Sequence, residues 1–205
     1  SNNPISIIPL VTPQLRNLGI YYREKDPKQS TAFSFTRFLV PYLCNYSGWA
    51  IFMDCDMLCR ESITELWNQR DDNYSVMCAK HEHSPNEKRK FLNEIQSPYP
   101  KKNWSSLMLL NCKKCKNLSI EYVNKASGLD LHRFNWLEGD DLIGEITGNW
   151  NHLIGVYNET DLDNKSPLIH WTIGGPWFKE LRTKSGALAA EWFSARDDAM
   201  KLWNE

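Results

Sequence analysis

The sequence predicts an α/β fold in a single domain spanning residues 1–205. Short apolar runs alternate with segments whose apolar residues recur at helical spacing, the pattern of a sheet flanked by helices. A length of 205 residues suits one core better than two. No internal repeat, low-complexity tract or linker divides the chain. The alternation of runs predicts a largely parallel sheet.

In chain order, residues 4–10 read as a short strand ended by prolines. Over 30–43, Phe35, Phe38, Leu39, Tyr42 and Leu43 keep helical spacing, with Ser30 or Thr31 as N-cap. Residues 49–53 read as a buried strand, 61–67 as a short helix and 75–79 as another strand. Residues 80–102 are polar and proline-punctuated, a surface loop long enough to be a binding segment. A buried strand at 106–110 precedes helical material to about Trp136. Residues 168–171 form a last strand leading into Gly174-Gly175. Leu188, Trp192, Ala195, Ala199 and Trp203 mark one stripe of an amphipathic C-terminal helix.

A formal net charge of −1 and a pI near 6.5 provide no global field to recruit nucleic acid. No run approaches the roughly 20 apolar residues of a membrane helix. No basic-then-apolar leader opens the chain, so the sequence reads as soluble and cytoplasmic. The six cysteines of so ordinary a composition are expected to be reduced. Cys112-Lys-Lys-Cys115 has zinc or redox spacing, and Cys78, His81 and His83 lie upstream, but no second well-spaced pair closes a four-ligand set. Nine tryptophans give sugar-stacking faces, although most such rings belong to cores.

The sharpest local feature is Trp49-Ala-Ile-Phe-Met-Asp54-Cys55-Asp56. An apolar strand ending in Asp-x-Asp puts two carboxylates at the carboxyl edge of a sheet, where open α/β sheets bind ligands. Residues i and i+2 lie on one side of an extended chain, so both acids can approach one hard cation. Mg²⁺ or Mn²⁺ held there can offset the charge of a departing diphosphate. Taken alone, Asp-x-Asp is common and usually a turn or an exposed pair.

The surroundings extend the motif. Thr36-Arg37-Phe38-Leu39-Val40-Pro41, the strand into Asp56, and Ser62-Ile63-Thr64-Glu65-Leu66-Trp67 resemble the retaining glycosyltransferases of family eight. Trp104 to Asn111 looks like that family's Asn-Ala-Gly strand, which borders the acceptor. Asp140-Asp141 looks like its Gln-Asp segment, and Asn149-Trp150-Asn151 is similar to its Trp-Asn element. His170-Trp171-Thr172-Ile173-Gly174-Gly175-Pro176-Trp177 resembles its His-x-x-Gly-x-x-Lys-Pro-Trp segment.

The resemblance implies a GT-A, Rossmann-like nucleotide-diphospho-sugar transferase fold. It implies transfer of a hexose from a nucleoside-diphosphate donor, a UDP-sugar, to a carbohydrate or other hydroxyl acceptor with retention. Asp54, Asp56 and His170 then hold Mn²⁺ or Mg²⁺. Arg37, Cys55, Gly174 and Gly175 serve the donor, while Asn103, Trp104 and Trp177 border the acceptor. Asp140 and Asp141 stand by the reacting carbon as the catalytic residues, contacting the donor sugar or stabilising positive charge there; as plain residues they also suit a helix N-terminus.

The sequence departs from the family at three places. Trp104 stands where an acceptor-side asparagine is expected, with Asn103 one residue early. Gly175 replaces the lysine before Pro-Trp. No counterpart of the usual first strand precedes Pro4. A catalytically inactive sugar- or nucleotide-binding module, or a metal-dependent hydrolase using the same acids, are the rival readings.

Overall fold

The computed structural model describes residues 4–24, 31, 33–81, 101–156, 166–183 and 186–203. Strands β1 (Trp49–Met53), β3 (Val76–Cys78), β4 (Leu107–Asn111) and β5 (Ile143–Glu145) form one sheet in the order β1-β4-β3-β5. β4 runs antiparallel to β1 and β3, whereas β3 and β5 are parallel. The expected largely parallel sheet is therefore a mixed one, because β4 inserts between strands that share a direction. A smaller sheet joins β2 (Met57–Cys59), β7 (Leu168–His170) and β6 (His152–Leu153) in the order β2-β7-β6.

Period-two alternation builds the core on both faces of the main sheet. From β4, Met108 and Leu110 join Phe38, Leu118 and Leu131 on one face. Leu107 and Leu109 face the other way, with Leu66, Ile146 and Trp150. From β3, Val76 and Cys78 join the first cluster and Met77 the second. A strand buried on both faces has to be apolar at every position, which explains the unbroken run Leu107-Met108-Leu109-Leu110.

The helices are short: α1 (Thr12–Asn17), α2 (Val40–Leu43), α3 (Ile63–Trp67), α4 (Ile120–Lys125), α5 (Gly128–His132) and α6 (Lys179–Arg182), before α7 (Gly186–Trp203) closes the described chain. Ser62, Ser119 and Ser127 cap α3, α4 and α5 by accepting from Thr64, Tyr122 and Asp130 amides. The helix expected over 30–43 is a 3-10 turn, Thr36–Leu39, followed by α2; residues 25–30 and 32 lie outside the described residues. Pro41 has no N–H to donate back to the Arg37 carbonyl, so an α-helical ladder cannot run through this segment.

Residues 4–10 form no strand. Ile5, Ile7 and Ile8 are 53%, 85% and 76% exposed, and among the described residues no strand pairs with them. Extended chain becomes a strand only through a ladder partner, which the proline-flanked apolar pattern cannot reveal. The helical stretch expected to reach Trp136 is broken into α4, α5 and a 3-10 turn at Cys112–Lys114. All six cysteines carry free thiols. Cys112 and Cys115 are buried, and the Cys115 Sγ lies 3.3 Å from both the Ser75 and the Asn111 carbonyl oxygens, either of which can accept its one proton, a packing role. No helix among the described residues is long and apolar enough to cross a membrane.

Candidate active site

Strand direction decides what meets at the active edge. β1, β3 and β5 point the same way, so Asp54, residues 79–81 and Ile146 emerge at one edge of the sheet. β4 runs oppositely, so its start lies at that edge too, and the Asp54 amide donates to the Ser106 carbonyl at 2.9 Å. The second sheet supplies the third component. β2 follows Asp56 and pairs with β7 so that Met57 lies opposite His170, while the Trp171 amide donates to the Asp56 carbonyl at 3.0 Å.

Asp54, Asp56 and His170 thereby offer ligand atoms that all lie within 4.8 Å of one another. His170 is buried, with Nε2 3.1 Å from Asp56 Oδ1 and Nδ1 2.8 Å from Asn151 Oδ1. When Nδ1 holds its proton toward Asn151, a neutral ring turns the Nε2 lone pair toward a buried carboxylate oxygen that no hydrogen bond satisfies. Only a proton on Nε2 or a cation between the two atoms relieves that opposition. Two carboxylates and an imidazole form a donor set that could hold a divalent cation.

The two acids are not equivalent. Arg37 clamps Asp54 through both nitrogens, Nη2 to Oδ1 at 2.8 Å and Nη1 to Oδ2 at 3.2 Å. Arg37 itself is buried, donates Nη1 to the Ser105 carbonyl at 2.8 Å, and lies over the Phe52 ring. Burial raises the Asp54 carboxyl above its ordinary range despite the opposing charges of Arg37 and His170. Burial also pushes Asp56 upward, but a protonated His170 ring, whose Nε2–H would then donate to Oδ1, outweighs it and leaves that carboxyl below its usual value.

Arg37, expected on the donor side, thus stands against Asp54. Cys55, between the two acids, is exposed, and burial of its sulfur together with the flanking carboxylates raises its thiol. Gly174 has φ of 102°, a backbone suited to glycine, at the turn after His170. A Cβ on Gly175 would lie 2.2 Å from the Trp177 ring. Trp177 packs edge-on against Trp171 at 5.8 Å and tilted against Trp192 at 5.4 Å.

On the β4 side, Asn103 has φ of 65° and its carbonyl accepts from Ser106 Oγ at 2.6 Å. Trp104 is half-buried, with its indole N–H donating to the His81 carbonyl at 3.1 Å. Asp140 and Asp141 are exposed on a 3-10 turn ahead of β5, and Asp140 pairs with Lys101. That turn adjoins the opposite strand end, since the Ser75 amide donates to the Leu142 carbonyl. The structure does not bring these two acids into the Asp54–Asp56–His170 cluster. His83 and residues 82–100 of the long polar segment lie outside the described residues.

Sequence reasoning gave no role to Asn151, Ser106 or Glu145. Asn151 is fully buried beneath His170, and Glu145 ends β5 at the same edge as Asp54. A cavity of about 390 Å³ opens here between Lys80, His81, Glu145, Asn149 and Asn151. The Asn149-Trp150-Asn151 spelling was the signal for Asn151, and Ser106 lay inside the Trp104–Asn111 segment without a role of its own; nothing in the sequence marks Glu145.

Comparison with known proteins matches the model of glycosyl transferase family 8 over residues 6–180. Protein CDI of Arabidopsis thaliana is 46% identical over 182 residues, covering 87% of this chain and 70% of that protein. Among solved structures, the galactosyltransferase LgtC, in complex with donor and acceptor sugar analogues, superposes with a TM-score of 0.50. That match covers 82% of this chain and 69% of LgtC at 13% identity, a likeness of fold. The family match spans the strand into Asp-x-Asp, the β4 edge and the His170 turn alike, and the fold is the GT-A fold of LgtC. The chain belongs to glycosyl transferase family 8 and is a glycosyltransferase.

Proposed function

We propose that this glycosyltransferase moves a hexose from a UDP-sugar to a hydroxyl acceptor, with retention of configuration, and that it does so with Mn²⁺ or Mg²⁺ held by Asp54, Asp56 and His170. The observation that carries the reading is the convergence of those three side chains from two different sheets onto one point. A cation bound there would neutralise charge on the leaving diphosphate. The protein's own groups do the rest. Arg37 fixes both oxygens of Asp54, which orients that carboxylate before any donor arrives. The turn at Gly174 and Gly175 offers backbone for a close approach by phosphate, and exposed Cys55, between the two acids, is assigned to the donor by the family resemblance.

The acceptor belongs on the other flank. Asn103 and Trp104 lie at the 3-10 turn that leads into β4 there, and the open cavity beside His81 and Asn151 is a polar recess able to take a hydroxylated ligand. Trp177, half-buried in its aromatic cluster, is assigned to the acceptor by the family resemblance. The proposed catalytic roles of Asp141 and Asp140 rest on the family resemblance alone, given their distance along β5 from the cluster edge.

A panel of UDP-hexoses, assayed for UDP release with and without simple glycoside acceptors, tests the reading. Acceptor-dependent release that requires Mn²⁺ or Mg²⁺ is the expected result. Equal release without acceptor makes the protein a hydrolase. Binding with no release makes it an inactive module.

A further inference from the structure

The polar groups beneath His170 form a chain whose proton positions are determined one from the next. Ser106 Oγ lies 2.6 Å from the Asn103 carbonyl, which can only accept, so the single hydroxyl proton points there. Ser106 Oγ is then left to accept, and the group 2.8 Å away on Asn151 must be its amide nitrogen. The same nitrogen donates its other proton to His81 Nε2 at 3.0 Å. With both amide protons spent, Asn151 turns Oδ1 toward His170 Nδ1 at 2.8 Å, and that ring nitrogen must carry a proton. Nε2, facing Asp56 across 3.1 Å, is the nitrogen left to coordinate.

We infer that Asn151 is a positioning residue which, oriented by Ser106, sets the His170 tautomer and presents Nε2 as the metal-binding atom. The inference rests on the reading of Asp54, Asp56 and His170 as a metal site. Two observations support a built device over incidental packing. Asn151 is fully buried, and its backbone sits at φ of 73°, a left-handed conformation that asparagine tolerates better than most residues. Among the described residues, its side chain hydrogen-bonds to groups at the cluster edge: Ser106, His81 and His170. Outer partners of this kind fix ligand orientation and commonly change metal affinity by about 10–100-fold.

The test compares Asn151→Leu with Asn151→Asp. Aspartate keeps an acceptor for His170 Nδ1–H, and the Ser106 hydroxyl can rotate to donate to it. Leucine keeps the volume and removes the acceptor, leaving Asp56 beside Nε2 as the partner for a ring proton. The first readout is ¹⁵N-histidine NMR of metal-free protein at alkaline pH, which reports which ring nitrogen is protonated. The second is Mn²⁺ affinity in the presence of UDP, by paramagnetic resonance. Asn151→Leu should move the proton from Nδ1 to Nε2 and weaken Mn²⁺ binding about 10–100-fold, while Asn151→Asp keeps Nδ1 protonated and stays within a few-fold of wild type. An unchanged tautomer in Asn151→Leu overturns the inference, as does an equal loss of affinity in both variants. If Asn151→Leu does not fold, Ser106→Ala serves instead: it should mix the two tautomers, and a wild-type spectrum overturns the inference. The NMR readout needs neither metal nor activity, so an absence of glycosyl transfer, or of Mn²⁺ binding by the wild type, would count against the proposed function without deciding the tautomer.

Discussion

Asp54 and Asp56 are two residues apart and chemically alike, yet removing them should have different consequences. Asp54 compensates a buried guanidinium on both of its oxygens, so Asp54→Ala strands Arg37 without a counter-charge. Breaking such a pair from one side costs about 3–5 kcal/mol. Asp56 is a third exposed and has no arginine partner among the described residues, so Asp56→Ala should cost much less while still abolishing metal binding. Urea denaturation of the two variants checks the difference, and equal destabilisation would mean the Arg37 clamp is not structural. The Asp-x-Asp motif was legible in the sequence. The clamp was not, because the acid that an arginine 17 residues upstream reaches is set by packing of the turn before α2 against β1.

His81 gives a pH signature at the same scale. Burial first, then the charges of His170 and His152, push its pKa from 6.5 down to about 4. Between those values the unfolded chain binds a proton that the native ring refuses, so stability falls as pH drops through the window and is unaffected above it. A protonated Nε2 can no longer accept from Asn151, which is the structural face of the same linkage. Thermal melts of wild type and His81→Asn between pH 7 and 4.5 should converge toward the acid end. Parallel curves would contradict a neutral buried His81.

Among elements, those with long apolar runs were readable. β1 and β4 match their expected runs to within a residue, because apolar packing on both faces, complete for β4 and partial for β1, leaves no polar interruption. β2, β5 and β6 are only two or three residues long and carry no period to detect. The direction of β4 was also hidden, since an apolar run has no sign, and with it went the placement of Ser106 beside Asp54. The turn after β7 shows how an element can be constrained twice. Gly175→Ala forces a methyl into the Trp177 ring and should cost about 1–3 kcal/mol. Gly174→Ala meets a left-handed backbone and should cost about 1 kcal/mol. Thermal denaturation ranks them, and a neutral Gly175→Ala would mean that Trp177 is free to move.

At the scale of the molecule, two sheets meet where three strand ends and one strand start share an edge. Family resemblance located that edge from order and spacing, but not the network beneath it, which joins β4, the segment before β6 and β7 through side chains distant in sequence. No covalent link braces this assembly. A structural disulfide contributes about 2–4 kcal/mol, so with six free thiols the melting temperature should be unmoved by reductant. A drop of several degrees would reveal a bridge.

The claim on which the rest depends is that Asp54, Asp56 and His170 bind a divalent cation together with a nucleoside diphosphate. Isothermal titration of UDP into the protein, with and without Mn²⁺, tests it in one measurement. Binding should need the metal and should disappear in Asp56→Ala, whose fold is expected to survive. Equal affinity for UDP with and without Mn²⁺, or an Asp56→Ala protein that binds as wild type does, would contradict it.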